Sequence, residues 1–167
     1  MSNLENLIRD VGTARMYTMD MLSHIDRTDW FRQPQEGVTH VAWQVGHLAV
    51  AQYALTLKRV RGEKAVDAEL ISPEYFRLFG IGSKPVPDPE SYPAQKDIRA
   101  VFDRVHQQVL NESSDWSNEL LDAATSEPRH RMFKTKGGSI RWSVQHEFIH
   151  IGQIALLRRL LGATPLW

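Results

Sequence analysis

Residues 139–162 read SIRWSVQHEFIHIGQIALLRRLLG. Ser139 can cap a helix at its start, Gly162 can close it with Pro165 just beyond, and Arg158 and Arg159 complement the dipole of its final turns. This predicts a helix over 139–161. His146 and His150 stand four residues apart, so they share one face with Cβ atoms about 5–6 Å apart and can converge on one ion. Two histidines are part of a metal site, and a helical bundle supplies the rest from facing helices.

Working outward, three more segments carry the same periodicity. Leu4, Leu7, Ile8, Val11, Ala14, Met21, Leu22 and Ile25 mark a first helix over 3–25, interrupted at Thr18. Residues 26–37, with Pro34 and Gly37, are a connection. Thr39 fits the start and Gly62 the end of a second helix over 40–61. Ile98, Val101, Phe102, Val105 and Val109 mark a third over 94–113. Between those two, residues 62–93 hold five of the eight prolines, and only 73–79 can make a helical turn or two. A connection this long inside a compact domain usually has a job. Residues 116–138 are mixed, with a short helix at 119–124 and a turn at 134–138. No period-two run argues for a sheet, and no internal repeat occurs. The expected fold is all-α: one domain over 1–167, an antiparallel four-helix bundle with a long irregular connection between the second and third helices and a topology that is not simply up and down.

Composition narrows the chemistry. The 167 residues carry 20 basic and 20 acidic side chains, so the net charge is zero, which argues against a nucleic acid or an anionic membrane surface as partner. With 42% hydrophobic and 24% charged residues, the chain reads as a soluble globular domain. It is long enough to fold without a metal, so a metal site would serve function. No apolar run reaches the ~20 residues of a membrane span, and residues 1–5 show no secretory start, so a cytoplasmic location is expected. Cysteine is absent, which excludes disulfides, a thiolate nucleophile and cysteine-bound metal, and leaves seven histidines as ligands.

The segment 146–150 also matches H-E-x-x-H, in which a zinc protease uses the glutamate, here Glu147, as general base. That motif takes its third ligand downstream, and residues 151–167 contain no His, Asp or Glu. Glu147 also lies about 100° around the helix from His146, toward a neighbouring element or solvent. The best third ligand is His47, mid-helix in an apolar stretch where an unpaired imidazole is costly to bury; a hydrogen-bonded core histidine is the alternative. His40 is about 10 Å further along the helix, too far to share the ion easily. Gly46 would let another backbone or a bound group approach closely. His24 and His106 read as makers of local hydrogen bonds and His130 as a solvated loop residue. Gln153 and Trp142 are candidates for touching substrate, with Ser143 beside them. Tyr75, Phe76 and Phe79 could cover the cavity or fill a satellite core.

Gly-His-Leu-Ala at 46–49, His-Glu-x-x-His-x-Gly-Gln at 146–153 and Leu-Arg-Arg-x-x-Gly at 157–162 together resemble the DinB superfamily of metal-dependent bundles, over nearly the whole chain. The resemblance implies a four-helix bundle with a three-histidine site at His47, His146 and His150, a nickel, zinc, manganese or iron ion, and a homodimer. Relatives with an assigned activity are mostly thiol-dependent, including bacillithiol transferases and a mycothiol-dependent maleylpyruvate isomerase. Three readings follow: a metal-dependent enzyme for a small molecule, with a low-molecular-weight thiol as cosubstrate; a hydrolase acting through activated water with Glu147 as base; and a non-catalytic dimeric bundle whose metal is structural or absent. Three imidazoles leave at least one coordination position open, as catalytic sites do, and do not decide which metal binds.

Overall fold

The helices meet through one apolar core crossed by a few buried polar contacts. The structure is a computed structural model that describes residues 3–125 and 130–166. Residues 1, 2 and 167, the ends of the expected domain, and residues 126–129 of the mixed segment lie outside the described residues. Helix α1 is Asn3–Ser23. Helix α2, Val41–Tyr53, continues through a π-helical segment, Ala54–Lys58, into the closing turn α3, Arg59–Arg61. Two short helices follow, α4 at Asp67–Leu70 and α5 at Pro73–Phe79, the latter where one was expected. Helix α6 is Gln95–Ser113, α7 is Asn118–Asp122 and α8 is Lys136–Leu160. The described residues form no strand, only the isolated bridges Ala124–Thr135 and His130–Phe133. No helix among them is long and apolar enough to cross a membrane.

Two helix starts differ from expectation. The cap of α2 is His40, whose Nδ1 accepts from the Trp43 amide at 3.1 Å. The cap of α8 is Thr135, whose hydroxyl accepts from the Gly138 amide at 3.1 Å, so the expected turn at 134–138 is partly helix. Ser139 therefore lies inside α8, where its hydroxyl donates to the Leu55 carbonyl of the π-helical segment at 2.6 Å. The second helix does end at Gly62, whose φ of +88° is open to glycine at little cost.

Helix α2 is buried on nearly every side, as a central helix must be, and packs on α5, α6 and α8, while α1 packs on α8. Cross-helix contacts record direction. Along α1 and α8 the partners advance together, Arg15 with Glu147 and then the His24 carbonyl with Arg158. Along α2 and α6 they also advance together, Gln52 with His106 and then Arg61 with Glu112. Along α2 and α8 they run opposed, Gln44 with His150 and Leu55 with Ser139. Two consecutive long helices that run the same way need a connection long enough to return along the molecule, which residues 62–93 provide.

At the far end of α2, Arg61 forms a fork of bonds to Asp67 and Glu112. Burial pushes the Asp67 carboxyl up, but Arg61, the Lys64 amide and the Tyr53 hydroxyl outweigh it and bring it down to about 2. A depressed carboxyl adds stability above its unfolded value near 4, and that stability is lost as pH falls toward 2. Asp67→Asn is expected to lower unfolding free energy at pH 7 by on the order of 2 kcal/mol and to leave it unchanged near pH 2. Urea denaturation at both pH values checks this.

Candidate metal centre

His47 on α2 and His146 and His150 on α8 come together so that one ring nitrogen from each lies within 4.8 Å of the others. His146 Nε2 and His150 Nε2 are 3.3 Å apart. Two imidazole nitrogens bound at about 2.1 Å in a tetrahedral site are about 3.4 Å apart, so the spacing of this pair fits a divalent ion.

The tautomers fit as well. His47 Nδ1 donates to the Phe79 carbonyl at 2.7 Å, which leaves Nε2 as its lone-pair donor. His150 Nδ1 donates to Gln44 Oε1, and Gln44 Nε2 donates in turn to Gln153 Oε1 at 2.9 Å. Metal-binding histidines characteristically give their second N–H to such an acceptor, which sets ring orientation and basicity. Trp43 stacks on His47 with ring centroids 4.7 Å apart, and its own Nε1 donates to Ser83 at 2.9 Å.

Burial keeps these rings neutral. It pushes His146 down to about 4, with the neighbouring His47 adding to the effect, and His150 down to about 3, with His146 and His47 adding. His47 is lowered by burial, with the Phe79 carbonyl pulling the other way. Three neutral imidazoles present lone pairs at pH 7 with no proton to displace.

The long 62–93 connection reaches the site through α5. Phe79 is fully buried, and its ring lies so close over Gly46 that a Cβ there would stand 2.4 Å from Phe79 Cδ1. The close approach at Gly46 is made by a side chain, the Phe79 ring, where a backbone or a bound group was expected, and the same residue's carbonyl orients His47. Tyr75 joins the core, while Phe76 stays partly exposed against Tyr53 with ring centroids 5.7 Å apart. Gly46→Ala is expected to cost about 1–3 kcal/mol, the range for overpacking a filled core. It should also weaken metal binding about tenfold, because the displaced carbonyl no longer holds His47. Thermal melts and a zinc titration of the variant check both effects.

The other residues singled out from the sequence fall as follows. Glu147 is not part of the histidine group: its Oε1 accepts from Arg15 Nε at 3.0 Å and from the Thr18 hydroxyl at 2.8 Å, on the side facing α1. Gln153 reaches the group only through Gln44. His24 Nδ1 bonds the Asp20 carbonyl at 2.8 Å. His106 meets Gln52 at 3.1 Å, while Asp103 is bound by Arg99. His130 is part-buried and stacked on Phe133 at 4.3 Å. Sequence reasoning missed Gln44, Arg15 and the Phe79 carbonyl. Gln44 and Arg15 had a signal, since each is a polar residue on an apolar helical face.

A cleft of about 320 Å³ opens beside the histidines. His47 and His146 border it, and Val50, Ala51, Ala54 and Leu55 form an apolar wall from the end of α2 and its π-helical segment. Trp142 lines it too, with Ile81 and Met132 exposed alongside. π-helical turns are rare and concentrate at functional sites. Here the wide turn forms part of the wall beside the histidines.

Comparison with curated proteins found no match. A family model, that of the DinB superfamily, matches residues 11–154, a span that holds His47, His146 and His150 together with Arg15, Gln44 and Phe79. With most of its length matched, from the third turn of α1 to the last turns of α8, the chain belongs to the DinB superfamily.

Proposed function

We propose that the protein is a metal-dependent enzyme that joins a low-molecular-weight thiol to a small electrophile, with His47, His146 and His150 holding the ion. The observation that carries this reading is the convergence of three neutral imidazoles, two of them oriented through Nδ1, at the border of an open cleft. Three protein ligands with access from a cleft are the pattern of a catalytic site. A divalent ion bound there supplies a Lewis acid that makes a thiol or a water acidic near neutral pH. The chain contains no cysteine, so the sulfur comes from a cosubstrate. The chain's own part is to hold the ligands rigid through Phe79 and Gln44 and to wall the cleft with apolar side chains that exclude water. A cytoplasmic setting accords with this, because that compartment keeps thiols reduced.

The hydrolase reading loses its base, because Glu147 is engaged by Arg15 and Thr18. The fold that goes with the enzyme reading is a four-helix bundle of α1, α2, α6 and α8 in up-down-down-up order, supported by the direction of the contacts between them. A homodimer goes with it too. Met16 and Tyr17 on α1 and Phe148 and Ile149 on α8 expose large apolar side chains, with the Tyr17 and Phe148 rings 5.9 Å apart. Paired copies would cover this face, and sedimentation velocity of wild type against Phe148→Glu reads it.

The activity is tested with protein loaded with zinc, nickel, manganese or iron, a panel of low-molecular-weight thiols, and 1-chloro-2,4-dinitrobenzene as electrophile. Turnover that needs metal and disappears in His146→Ala is expected. Fully loaded protein that turns over no thiol in the panel returns the protein to the non-catalytic reading.

A further inference from the structure

Ile81 lines the cleft beside the histidines and is fully exposed, although it is a large apolar side chain. It sits at the tip of the turn from Gly80 to Ser83, which the Ser83 amide closes by donating to the Gly80 carbonyl at 3.1 Å. The third residue of this turn takes a positive φ, and Gly82 has +89°. Turn tips ordinarily carry small or polar residues, and a fully exposed isoleucine adds little to the packing of the fold. The turn is nonetheless held in place. The Ser83 hydroxyl donates to the Gly80 carbonyl at 2.8 Å and accepts from Trp43 Nε1 at 2.9 Å, and Trp43 is the ring stacked on His47. Just before the turn, the Phe79 carbonyl accepts from His47 Nδ1. These two anchors fix where Ile81 stands relative to His47. A single exposed apolar residue is common on any surface. Ile81, however, shares one cleft with the wall of Val50, Ala51, Ala54 and Leu55 and with the half-exposed Met132. At about 320 Å³ the cleft lies at the small end of ligand pockets, so it suits a small molecule and not a segment of another chain.

We infer that Ile81 is a specificity-determining residue of the cleft: the electrophile carries an apolar body, alkyl or aryl, which Ile81 and the α2 wall cover together while its reacting end faces His47 and His146. The inference rests on the enzyme reading above and names the substrate class of the same site. Because the turn is already anchored, covering the ligand orders little that was free, and each added methylene contributes nearly its full transfer free energy. Polar electrophiles of the same size gain nothing from Ile81.

Calorimetric titration of 1-butanol, 1-hexanol and 1-octanol at pH 7 tests it on protein stripped of metal by chelation and dialysis. A fully buried methylene is worth about fourfold in affinity, so each two-carbon step is expected to tighten binding at least about fivefold. Ile81→Ser is expected to weaken 1-octanol about tenfold, the lower end for covering an isoleucine side chain, and Ile81→Leu to restore it to within about twofold of wild type. Both variants should take up zinc to wild-type stoichiometry. Affinity that does not rise with chain length in wild type overturns the inference. So does 1-octanol binding that is unchanged in Ile81→Ser, because the alcohol then lies elsewhere. An Ile81→Leu variant that binds no better than Ile81→Ser, or an Ile81→Ser variant that loses zinc as well, also overturns it, because the turn and not the side chain is then what matters. Failure of the enzyme reading looks different: a protein that takes up no metal and turns over no thiol can still bind the longer alcohols through Ile81 in its metal-free form.

Discussion

His150→Ala and His146→Ala are each expected to lower zinc affinity by more than about 100-fold, above the 10- to 100-fold cost of losing a group that merely orients a ligand. Each removes one of three nitrogens that lie within 4.8 Å of one another, and the two that remain cannot enclose an ion. Gln44→Leu should fall within the lower range, because it keeps all three nitrogens but leaves His150 Nδ1 and Gln153 without their shared partner. A competition titration with a chromogenic chelator at pH 7 ranks the variants. Full stoichiometric zinc at wild-type affinity in either alanine variant would remove the shared site.

The same titration has a pH signature. An ordinary imidazole begins to lose metal to protons near pH 6.5. Burial brings His146 to about 4 and His150 to about 3, so zinc affinity is expected to stay nearly level from pH 8 to 5 and to fall as pH drops through about 4. The metal-free protein bears a corresponding cost. Its unfolded histidines take up protons below about pH 6.5 while the folded ones resist, so stability present above that pH is lost as pH falls toward 4. His40 and His106, each brought to about 4 chiefly by burial, contribute in the same sense.

Periodicity made the long helices legible, because α1 and α6 each bury one stripe and face solvent with the other. The histidine group was legible for a related reason. His146 and His150 are one turn apart, and His47 sits where α2 has little but apolar neighbours. The π-helical segment was not legible, since a wider hydrogen-bonded turn in Ala54–Lys58 requires no particular residue. Nor was the Phe79 carbonyl, because a backbone acceptor has no sequence signature and residues 62–93 have no periodicity to place it. The start of α2 misled for a physical reason: Thr39 has the better side chain for a cap, yet the imidazole one residue later reaches the Trp43 amide. The direction of the helices became readable only from contacts, since a single amphipathic stripe is the same read up or down.

Glu147 is where the two readings of the H-E-x-x-H string part most sharply, and Glu147→Ala separates them. Its carboxylate is 3% exposed and accepts from Arg15, itself 6% exposed. Arg15 in turn donates to the Phe102 carbonyl at 2.9 Å and to Gln52 at 2.7 Å, with its guanidinium carbon 3.4 Å from the centre of the Phe102 ring. Removing the carboxylate leaves a buried guanidinium without its ion-pair partner, Asp103 acting on it only through space, a loss of about 3–5 kcal/mol for a buried pair broken on one side. That is a large share of the 5–15 kcal/mol by which a domain is typically stable, and the midpoint in urea should fall accordingly. Replacing both partners, Arg15→Met with Glu147→Leu, removes the stranded charge, so the double variant should recover most of the loss. Its zinc affinity should stay near that of wild type, because none of the groups that hold the three histidines is touched. A catalytic base predicts the opposite pattern: Glu147→Ala would retain its stability and lose turnover, and the double variant would gain nothing back.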